Sequence, residues 1–537
     1  PREAIHQACL SLEAKLTSAF AGIARASKGF LLQRVVITDG RLEYSDAVAQ
    51  KDRLISDISD FYGTLERTSS GSGFNVSISF PAKDQKAGPP NRLEAQVDLV
   101  TGDVSGVVDF PFWPLYSYRF MAPSVFVLSK DSAIHDSRVT FVWNAEARLF
   151  RTYGHLGLQD LTVSNPGLTT GPMRKLNIAV SFGTKLADAA RFDLSKRVID
   201  TGKSLSFTIN DSPPIASRVK LDYSKNEFPS FLFSLGLDRA SLPDLLKNFP
   251  LWQFDDFETS GKISTQLTIS GRADDLGTLD FSFAFDEEQV RIESWGRKAN
   301  IGKLNSDFVH RIRGGGKEKR NMRVGTGDNW APLDQISPWL ALAVTTTEDG
   351  SFFRHEGFNK FQWKASTIDN LEAGRFVRGA STISMQLVKN LFLGNQKTIS
   401  RKIQELLLTW FMENSVEKER ILELYFNIIE WGRGKYGITE AMEYYFQATP
   451  KDIGPAQAAF LASFIPHPRP FYDLFRKGTD KDNRTKKWSR WWKRRLKLVK
   501  RIARAMERAC TSLPRKCPVR VARTCANLEA ICAHDLE

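Results

Sequence analysis

Apolar and polar residues alternate through the first part of the chain, from about residue 29 to residue 294. Clear examples are RVVITDGRLEYSD, RLEAQVDLVTGDVSGVVDF and SGKISTQLTISGRADDLGTLDFSFAF, in which Gly and Asp interrupt the alternation. A period of two is typical of half-buried strands, and the Gly and Asp positions suit tight turns. The pattern predicts short strands in a long antiparallel sheet, sandwich or groove. One helix is predicted in SLPDLLKNF, with Ser241 as its N-cap.

After Trp330 the apolar residues recur at i, i+3 and i+4, as in TISMQLVKNLFL, SRKIQELLLTWFMEN and EKERILELYFNII. This spacing predicts amphipathic helices. The preceding segment, HRIRGGGKEKRNMRVGTGDN, is rich in glycine and charge and predicts a linker. We therefore predict a multidomain α+β chain: a β-rich domain at 1–309, a linker at 310–329, a mostly α domain at 330–483 and a basic, Cys-rich tail at 484–537. A flexible linker would make the strand-rich part dispensable for chemistry in the α domain.

The length of 537 residues predicts two or three domains. No stretch of 18 apolar residues occurs, so the sequence predicts no membrane-spanning helix. Because the chain begins at Pro1 rather than Met, we expect a fragment or processed product with a membrane anchor upstream. The net charge is +14, yet residues 484–523 alone contain 16 Lys and Arg and one acid. Such a cluster predicts a local anionic partner.

Within that basic tail, TKKWSRWWKRRLKLVKRIARAMERAC places apolar residues on one helical stripe and basic residues on the other. Trp488, Trp491 and Trp492 lie on the apolar stripe. A basic helix of this kind suits an anionic membrane surface, so the 485–510 helix is predicted to contact one. The alternative is a helix packed on its own domain with a solvated basic face.

Four of the five cysteines lie close together near the C-terminus, and Cys9 stands apart. Their number in a short tail predicts two disulfides in an oxidising compartment, with three possible pairings. Their spacings of seven, eight and seven residues contain no CxxC, which disfavours zinc without excluding it or reduced thiols. The disulfide candidates are Cys510, Cys517, Cys525 and Cys532.

Two adjacent acids, Glu348 and Asp349, follow the apolar helix pattern PWLALAV, and His355 comes seven residues after Glu348. On a helix this spacing separates two side chains by about 10 Å, too far for one metal ion. Gly350 and Gly357 also make a continuous helix unfavourable. The pattern indicates that Glu348 ends a helix and presents its carboxylate to a cleft.

Three further segments combine helix starts with charge. In RGASTISMQLVKNLFL, Ser381 can cap a helix whose N-terminus favours a phosphate, and Lys389 follows two turns later. Arg401 and Glu405 are spaced i, i+4 with Lys402 beside them, and ILELYFN places two polar residues one turn apart. Taken singly, each fits an ordinary capped helix or a surface ion pair.

Taken in order, these segments resemble the four motifs of the peptidoglycan glycosyltransferases, glycosyltransferase family 51. The match covers about residues 330–471, and its parts are EDGSFFRHEG, GASTISMQLVKN, RKIQE and ILELYFN. Met385 stands where the family usually has a second Gln, and Ala380 replaces a common Gly. The resemblance implies a lysozyme-like, mostly α domain.

The resemblance also implies a reaction. Lipid II, a disaccharide-pentapeptide on undecaprenyl pyrophosphate, would be joined into β-1,4 glycan strands with inversion, and Glu348 would be the general base. Glu405, the second catalytic carboxylate, either holds Arg401 and Lys402 or binds a divalent cation, Mg²⁺ or Mn²⁺, that bridges the pyrophosphate. The implied substrate-binding residues are Asp349, Phe352, His355, Ser381, Thr382, Gln386, Lys389, Asn390, Arg401, Lys402, Glu423 and Asn427.

The segment LPDLLKNFPLWQFDDFETSGKISTQLTISG resembles repeats of the AsmA-like envelope proteins. This likeness implies an envelope location and either a lipid-holding groove or a spacer domain. Together the resemblances imply the periplasmic face of the bacterial inner membrane, lipid-linked glycan and a transpeptidase as partners, and no nucleic acid. The competing function is that of an inactive, transferase-like protein that binds or carries lipid through its β-rich domain.

Overall fold

The computed structural model describes residues 33–46, 53–81, 89–116, 119, 125–225, 227–249, 251–312, 320–375, 377, 379–394, 396–479, 493–494 and 497–506. The chain forms two compact units. The first consists of Pro1–Pro250 and Thr259–Arg291, and the second of Leu251–Glu258 and Ile292–Glu537. Cys9, the three tryptophans of the basic tail and the four disulfide candidates lie outside the described residues.

The first unit is built on one 15-stranded sheet, in which the strands from β1 to β14 pair antiparallel. This confirms the prediction of a long antiparallel sheet with one short helix, α1 (Leu242–Asn248), capped by Ser241. The strands are β1 (Arg34–Asp46), β2 (Arg53–Arg67), β3 (Gly73–Phe80), β4 (Asn91–Asp98), β5 (Val104–Pro114), β6 (Phe126–Asn144), β7 (Leu149–Val163), β8 (Met173–Phe182), β9 (Ala190–Asp193), β10 (Val198–Asp200), β11 (Leu205–Ile209), β12 (Ile215–Asp222), β13 (Ser230–Ser241), β14 (Glu258–Arg272) and β15 (Asp280–Ser294).

The strand register gives this sheet one apolar and one polar face. Ile78 of β3 pairs with Leu93, Leu93 with Val108, and Val108 with Val139, so these side chains lie side by side across four strands. They are half-buried. Residues one position along point to the opposite face. That face carries exposed polar side chains, among them Asn75, Ser77, Glu94, Gln96 and Ser105.

The second unit is mostly helical, as predicted. Its largest fully buried side chains include Trp431, Tyr425, Phe411 and Phe426. The helices are α2 (Pro338–Glu348), α3 (Lys360–Glu372), α4 (Ile383–Phe392), α5 (Ile399–Ser415), α6 (Lys418–Ile428), α7 (Ile438–Phe446), α8 (Pro455–Ala462) and α9 (Pro468–Thr479), with two hairpins β16 (Phe308–Ile312) with β17 (Arg320–Val324) and β18 (Glu430–Gly432) with β19 (Lys435–Tyr436).

Among the described residues, part of the predicted linker at 310–329 forms a paired hairpin. β16 begins two residues before this segment, and β17, with which it pairs, lies inside it. Ile312, Met322 and Val324 of these strands are buried. Arg320 of β17 also forms an ion pair with Glu440, at 2.9 Å. The alternation in these strands is short and its exposed positions are charged, so the composition resembled that of a linker. The boundary expected at residue 309 therefore falls inside the helical unit.

A short segment from the strand-rich half of the sequence is also part of the helical unit. Phe254 and Phe257 of Leu251–Glu258 are buried, and the Phe257 ring lies 5.0 Å from that of Phe411 in α5. Trp295 adds its ring to this cluster, 5.7 Å from Phe257. Periodicity cannot reveal this, because the segment is eight residues long and its partners are far away in sequence.

The basic tail is helical at residues 497–506, where Val499, Ile502, Ala503 and Met506 are buried. Ala503 packs against Ala456 of α8. In this part of the tail the apolar stripe therefore serves the core and not a membrane surface, which corrects the prediction for these residues. No helix in the described part of the chain is long and apolar enough to cross a membrane.

Candidate active site

Glu348 is the last residue of α2, where the sequence analysis expected a helix to end. The hydroxyls of Thr345 and Thr347 donate to the carbonyl oxygens of Ala341 and Ala343, at 2.8 and 2.9 Å. The polar side chains of the last turn are therefore hydrogen-bonded within the helix. Asp349 then leaves the helical conformation. The Glu348 carboxylate is thus held at a helix end, and its backbone is fixed by the buried residues of α2.

Two side chains, Tyr425 and Gln386, form a hydrogen-bonded chain that ends at Glu348. Gln386 Nε2 of α4 donates to Glu348 Oε2, at 2.9 Å. Tyr425 OH of α6 donates to Gln386 Oε1, at 2.8 Å. Burial raises the pKa of Glu348; the Gln386 hydrogen bond lowers it, nearby Asp349 raises it and Lys389 lowers it. The net pKa lies above the usual value of a glutamate, which suits a general base better than an ordinary surface carboxylate.

Asp349 and His355 organise the loop after α2. Asp349 is fully buried, and its two carboxylate oxygens lie 2.8 and 2.9 Å from His355 Nε2. Asp349 Oδ2 also accepts a hydrogen bond from the backbone N–H of Ile383, at 3.2 Å, at the start of α4. The Gly357 N–H donates to His355 Nδ1. These contacts orient the loop, and substrate binding by Asp349 and His355 stays a prediction.

The N-cap of α4 is Thr382 and not Ser381. Thr382 Oγ1 accepts from Met385 N, at 3.3 Å, and donates to Gly357 O, at 2.7 Å. The helix starts one residue later than predicted, because both residues can cap and only Thr382 is fully buried here. Ser381 is left partly exposed, and its hydroxyl receives a hydrogen bond from Lys402 Nζ, at 3.2 Å.

Two cations pair with the buried carboxylate of Glu405 in α5, and a third interacts with it electrostatically. Lys402 Nζ lies 2.6 Å from Glu405 Oε1, and Arg401 forms an ion pair with Oε2. The third cation, Lys389 of α4, is partly buried. Burial lowers the pKa of Lys389, Glu405 raises it, and Arg401 and Lys402 lower it. This cluster concentrates positive charge between the start of α5 and the last turn of α4.

Several predicted substrate-binding residues also bond to the scaffold, and their contact with substrate stays a prediction. Asn427 is fully buried and exchanges two hydrogen bonds with the backbone of Ala331, at 2.8 and 2.9 Å. Glu423 Oε2 accepts from the N–H of Leu333. Phe352 is 1% exposed and packs in the core, and Asn390 donates to the backbone oxygen of Gln386, at 2.8 Å. The motif residues that keep a partly exposed polar group facing the cations or Glu348 are Ser381, Gln386, Lys389, Arg401 and Lys402.

Met385, which departs from the related motif, is fully buried. Its side chain therefore belongs to the core of the unit. Ser384, its neighbour, bonds to Glu413 of α5, whose other oxygen pairs with Lys418 at 2.6 Å. This second buried carboxylate is a structural counterpart of Glu405 on the same helix.

Sequence reasoning missed two contributors. Tyr425 was part of a quoted motif, yet nothing in its spacing showed that its hydroxyl reaches Gln386. Gln253 comes from the segment before β14: its N–H donates to Gln404 Oε1 and its Nε2 to Phe392 O, both at 3.0 Å. Gln404 precedes Glu405, so this segment fixes α5 beside the site. No local signal could have revealed a contact over about 150 residues of sequence.

The donor set does not fit a metal ion held by the protein alone. Both oxygens of Glu405 are engaged by cations, and the described residues include no group of three His, Cys, Asp or Glu side chains placed to share an ion. A divalent cation therefore stays a prediction, and no chemical step is routed through it.

The profile of the family described as transglycosylase matches residues 317–496. The chain belongs to this family, and the match lies in its helical unit. The particular proteins it resembles are named biosynthetic peptidoglycan transglycosylases. The one from Nitrosomonas eutropha is 45% identical over 158 residues, 29% of this chain and 64% of the relative. The relative from Chromobacterium violaceum is 46% identical over 147 residues, which are 27% of this chain and 64% of the relative. The relative from Nitrosospira multiformis is 42% identical over 155 residues, which are 29% of this chain and 67% of the relative.

The matched stretch thus spans 64% of the length of the first two relatives. The similarity includes the four motifs and the helices that hold them. The AsmA-like resemblance of the sheet unit stays a prediction, because it lies outside the matched residues.

Proposed function

We propose that the chain polymerises lipid II into β-1,4-linked glycan strands and releases undecaprenyl pyrophosphate. The observation that carries this proposal is the pairing of a partly buried carboxylate, Glu348, with the cation cluster of Lys389, Arg401 and Lys402. A reaction between a sugar hydroxyl and a glycosyl pyrophosphate needs a base for the hydroxyl and positive charge for the leaving group. The site has one feature for each need.

Glu348 accepts the proton of the attacking hydroxyl. Gln386 occupies Oε2, and among the described residues no donor is bonded to Oε1, so Oε1 is the oxygen available to the sugar. The 4-hydroxyl oxygen bonds to the anomeric carbon as the bond from that carbon to the pyrophosphate oxygen breaks. The attack comes from the face opposite the leaving group, so the α-linked donor gives a β-linked product.

The cations stabilise the departing pyrophosphate. Arg401 and Lys402 contribute charge and N–H donors, and Lys389 lies in the same electrostatic cluster. Glu405 acts through these cations: it holds Arg401 and Lys402 in place and raises the pKa of Lys389 against the effect of burial. We assign it this positioning role in preference to metal binding.

The test of the function is a polymerisation assay on the purified full chain. Labelled lipid II in detergent should be converted into a ladder of glycan chains. One undecaprenyl pyrophosphate should be released for each glycosidic bond formed. Digestion of the product by a muramidase that cleaves β-1,4 bonds would establish the linkage. Intact lipid II after prolonged incubation, with or without added Mg²⁺ or Mn²⁺, would contradict the proposal.

We expect Glu405→Gln to lower kcat/KM by about 10- to 100-fold and to move the alkaline limb of the pH profile to lower pH. The reason is electrostatic: Glu405 raises the pKa of Lys389, so removing its charge lowers that pKa. Lys389 must be protonated to bind a pyrophosphate, so activity is lost as pH rises through its pKa. The measurement is the initial polymerisation rate between pH 6 and about pH 10.

The matched control for Glu405→Gln is Glu413→Gln. Glu413 is also a buried, ion-paired carboxylate of α5, but its cation is Lys418 and it does not perturb Lys389. It should alter stability without moving the alkaline limb. Equal shifts in both variants would refute the role given to Glu405.

The location and partners follow from the proposed reaction. A lipid-linked substrate implies the periplasmic face of the bacterial inner membrane, contact with that membrane, and a transpeptidase that cross-links the product. These are proposals that rest on the reaction. Chemical cross-linking in the native bacterium, followed by purification of this protein from the membrane fraction, would test the location and the transpeptidase partner together.

A second candidate function, lipid holding by the sheet unit, is favoured by the apolar face of β3–β6. Val76→Asp with Ile78→Asp should weaken binding of a fluorescent prenyl lipid to the full chain at least about 10-fold, because a charge on that face cannot be buried without cost. Both replaced residues lie on the apolar face. Equilibrium binding by fluorescence anisotropy is the measurement.

The control for the sheet variants is Asn75→Asp with Ser77→Asp, on the polar face of the same strand. It should leave binding unchanged. Equal binding by both variants would remove this candidate. Lipid binding by a chain that does not polymerise lipid II would favour an inactive carrier over the enzyme.

A further inference from the structure

Tyr425 is one of the most deeply buried polar residues in the helical unit. Its ring is fully buried among the core residues of α6, and its hydroxyl is bonded to Gln386 Oε1, at 2.8 Å. A buried hydroxyl that lost its partner would destabilise the fold, so the phenol proton needs an acceptor. Among the described residues, the acceptor bonded to it is Gln386 Oε1.

This bond decides which end of the Gln386 carboxamide faces Glu348. A carboxamide has one acceptor end and one donor end. Because the phenol donates to Oε1, the Nε2 end is turned towards Glu348 and donates to it, at 2.9 Å. If the carboxamide were reversed, its oxygen would face the carboxylate and repel its charge. Three elements, α2, α4 and α6, thus meet in one hydrogen-bonded chain.

We propose that Tyr425 is a positioning residue that acts through Gln386 to keep Glu348 ionised and correctly oriented as the base. This inference rests on the proposed function for the reaction it serves. It adds a residue that never touches the substrate.

The pKa of Glu348 is set by groups on several elements. Asp349 at the end of its own helix raises the pKa, and Gln386 and Lys389 on α4 lower it. Tyr425 on α6 is neutral, since burial and the nearby carboxylates raise its own pKa well above the usual range. Beyond Lys389 lie the charged residues of α5, namely Arg401, Lys402 and Glu405. Of these groups, only Gln386 is oriented by Tyr425.

The variant that isolates this role is Tyr425→Phe, which keeps the ring and removes the proton. Gln386 is then free to reverse, and the hydrogen bond to Glu348 is weakened or lost. Because that bond lowers the pKa of Glu348, the pKa should rise by about 1 to 2 units, the size of one hydrogen bond to a charged group. The base must be ionised, so the acid limb of kcat should move to higher pH by the same amount. At pH values below both acid limbs, the rate of Tyr425→Phe should be about 10- to 100-fold lower than that of the wild type. At alkaline pH the two rates should be equal.

The experiment measures this pKa twice in the full chain. One measurement is the pH profile of lipid II polymerisation in detergent. The other is the ¹³C chemical shift of the side-chain carboxyl of labelled glutamates, in which the Glu348 signal is identified by its loss in Glu348→Gln. The matched control is Tyr445→Phe, which removes a partly buried hydroxyl bonded to a carbonyl, Trp431 O at 3.1 Å, in a different part of the unit. Only Tyr425→Phe should move the Glu348 titration.

A double-variant cycle tests whether Tyr425 acts through Gln386. Gln386→Leu should raise the pKa of Glu348 by a similar amount, and adding Tyr425→Phe to it should change nothing further. Additive shifts would show that Tyr425 acts directly and would overturn the inference. So would an unmoved Glu348 titration in Tyr425→Phe, even if the rate fell uniformly with pH, since that pattern marks a structural effect. If the wild-type chain does not polymerise lipid II but the carboxyl shift still moves, the proposed function fails and the positioning role stands.

Discussion

Glu348→Gln is expected to reduce glycan synthesis by about 10² to 10⁴-fold while leaving the fold intact, because it removes only the general base. The substitution keeps the size of the side chain, and its carbonyl oxygen can still accept the hydrogen bond from Gln386. The measurement is the initial rate of lipid II polymerisation, with circular dichroism and binding of unlabelled lipid II as checks on structure and affinity. Binding should change far less than kcat.

The same substitution should leave the protein as stable as the wild type, or more so. Burial raises the folded-state pKa of Glu348, so its ionised form is less favourable in the fold than in water. A glutamate whose folded pKa is raised stabilises the fold most at low pH, and that contribution is lost as pH rises through the folded pKa. At pH 7 a neutral Gln avoids this cost, so its free energy of unfolding should not be lower.

The control for Glu348→Gln is Glu356→Gln, an exposed acid in the same loop region. It should polymerise at the wild-type rate. A residual rate above about 10% in Glu348→Gln would mean that another group takes the proton. A lowered melting temperature with a matching loss of activity would point to misfolding instead.

A chain shortened to residues 321–537 is expected not to fold, in contrast to what the sequence alone predicts. It loses the aromatic side chains that cover Phe411, namely Phe254, Phe257 and Trp295. Each buried aromatic contributes about 3–5 kcal/mol when truncated, and the sum is comparable with the whole stability of a domain. The measurement is cooperative thermal unfolding by circular dichroism, together with polymerisation of lipid II.

The matched protein joins residues 251–258 to residues 292–537 through a short Gly-Ser turn. Thr259 Oγ1 donates to Arg291 O, at 2.6 Å, so the two ends lie on neighbouring strands and a Gly-Ser turn of about four residues can close them. This version should unfold cooperatively and polymerise lipid II in detergent. If the 321–537 chain folds and is as active, the 251–258 segment is not part of the catalytic unit. If neither folds, the sheet unit supplies more than this segment.

The sequence by itself determined the types of the elements and the order of the motifs. Alternation at period two gave the strands of the sheet, and spacing at i, i+3 and i+4 gave α4, α5 and α6, because these periods decide which side chains share a buried face. The position of Glu348 at a helix end also followed from its place after PWLALAV. Local chemistry of this kind needs no knowledge of distant partners.

Contacts between distant parts of the chain are visible in the tertiary structure alone. Glu423 and Asn427 bond to backbone groups of residues 331–333, about 90 residues earlier, and Glu423 also pairs with Arg420. The role of Gln253 and the bond from Tyr425 to Gln386 likewise join residues that are far apart in sequence. A hydrogen bond depends on the three-dimensional approach of two groups, and no periodicity records that approach when the partner is distant. The same reason places residues 251–258 in the helical unit, although their sequence neighbours are strands of the sheet.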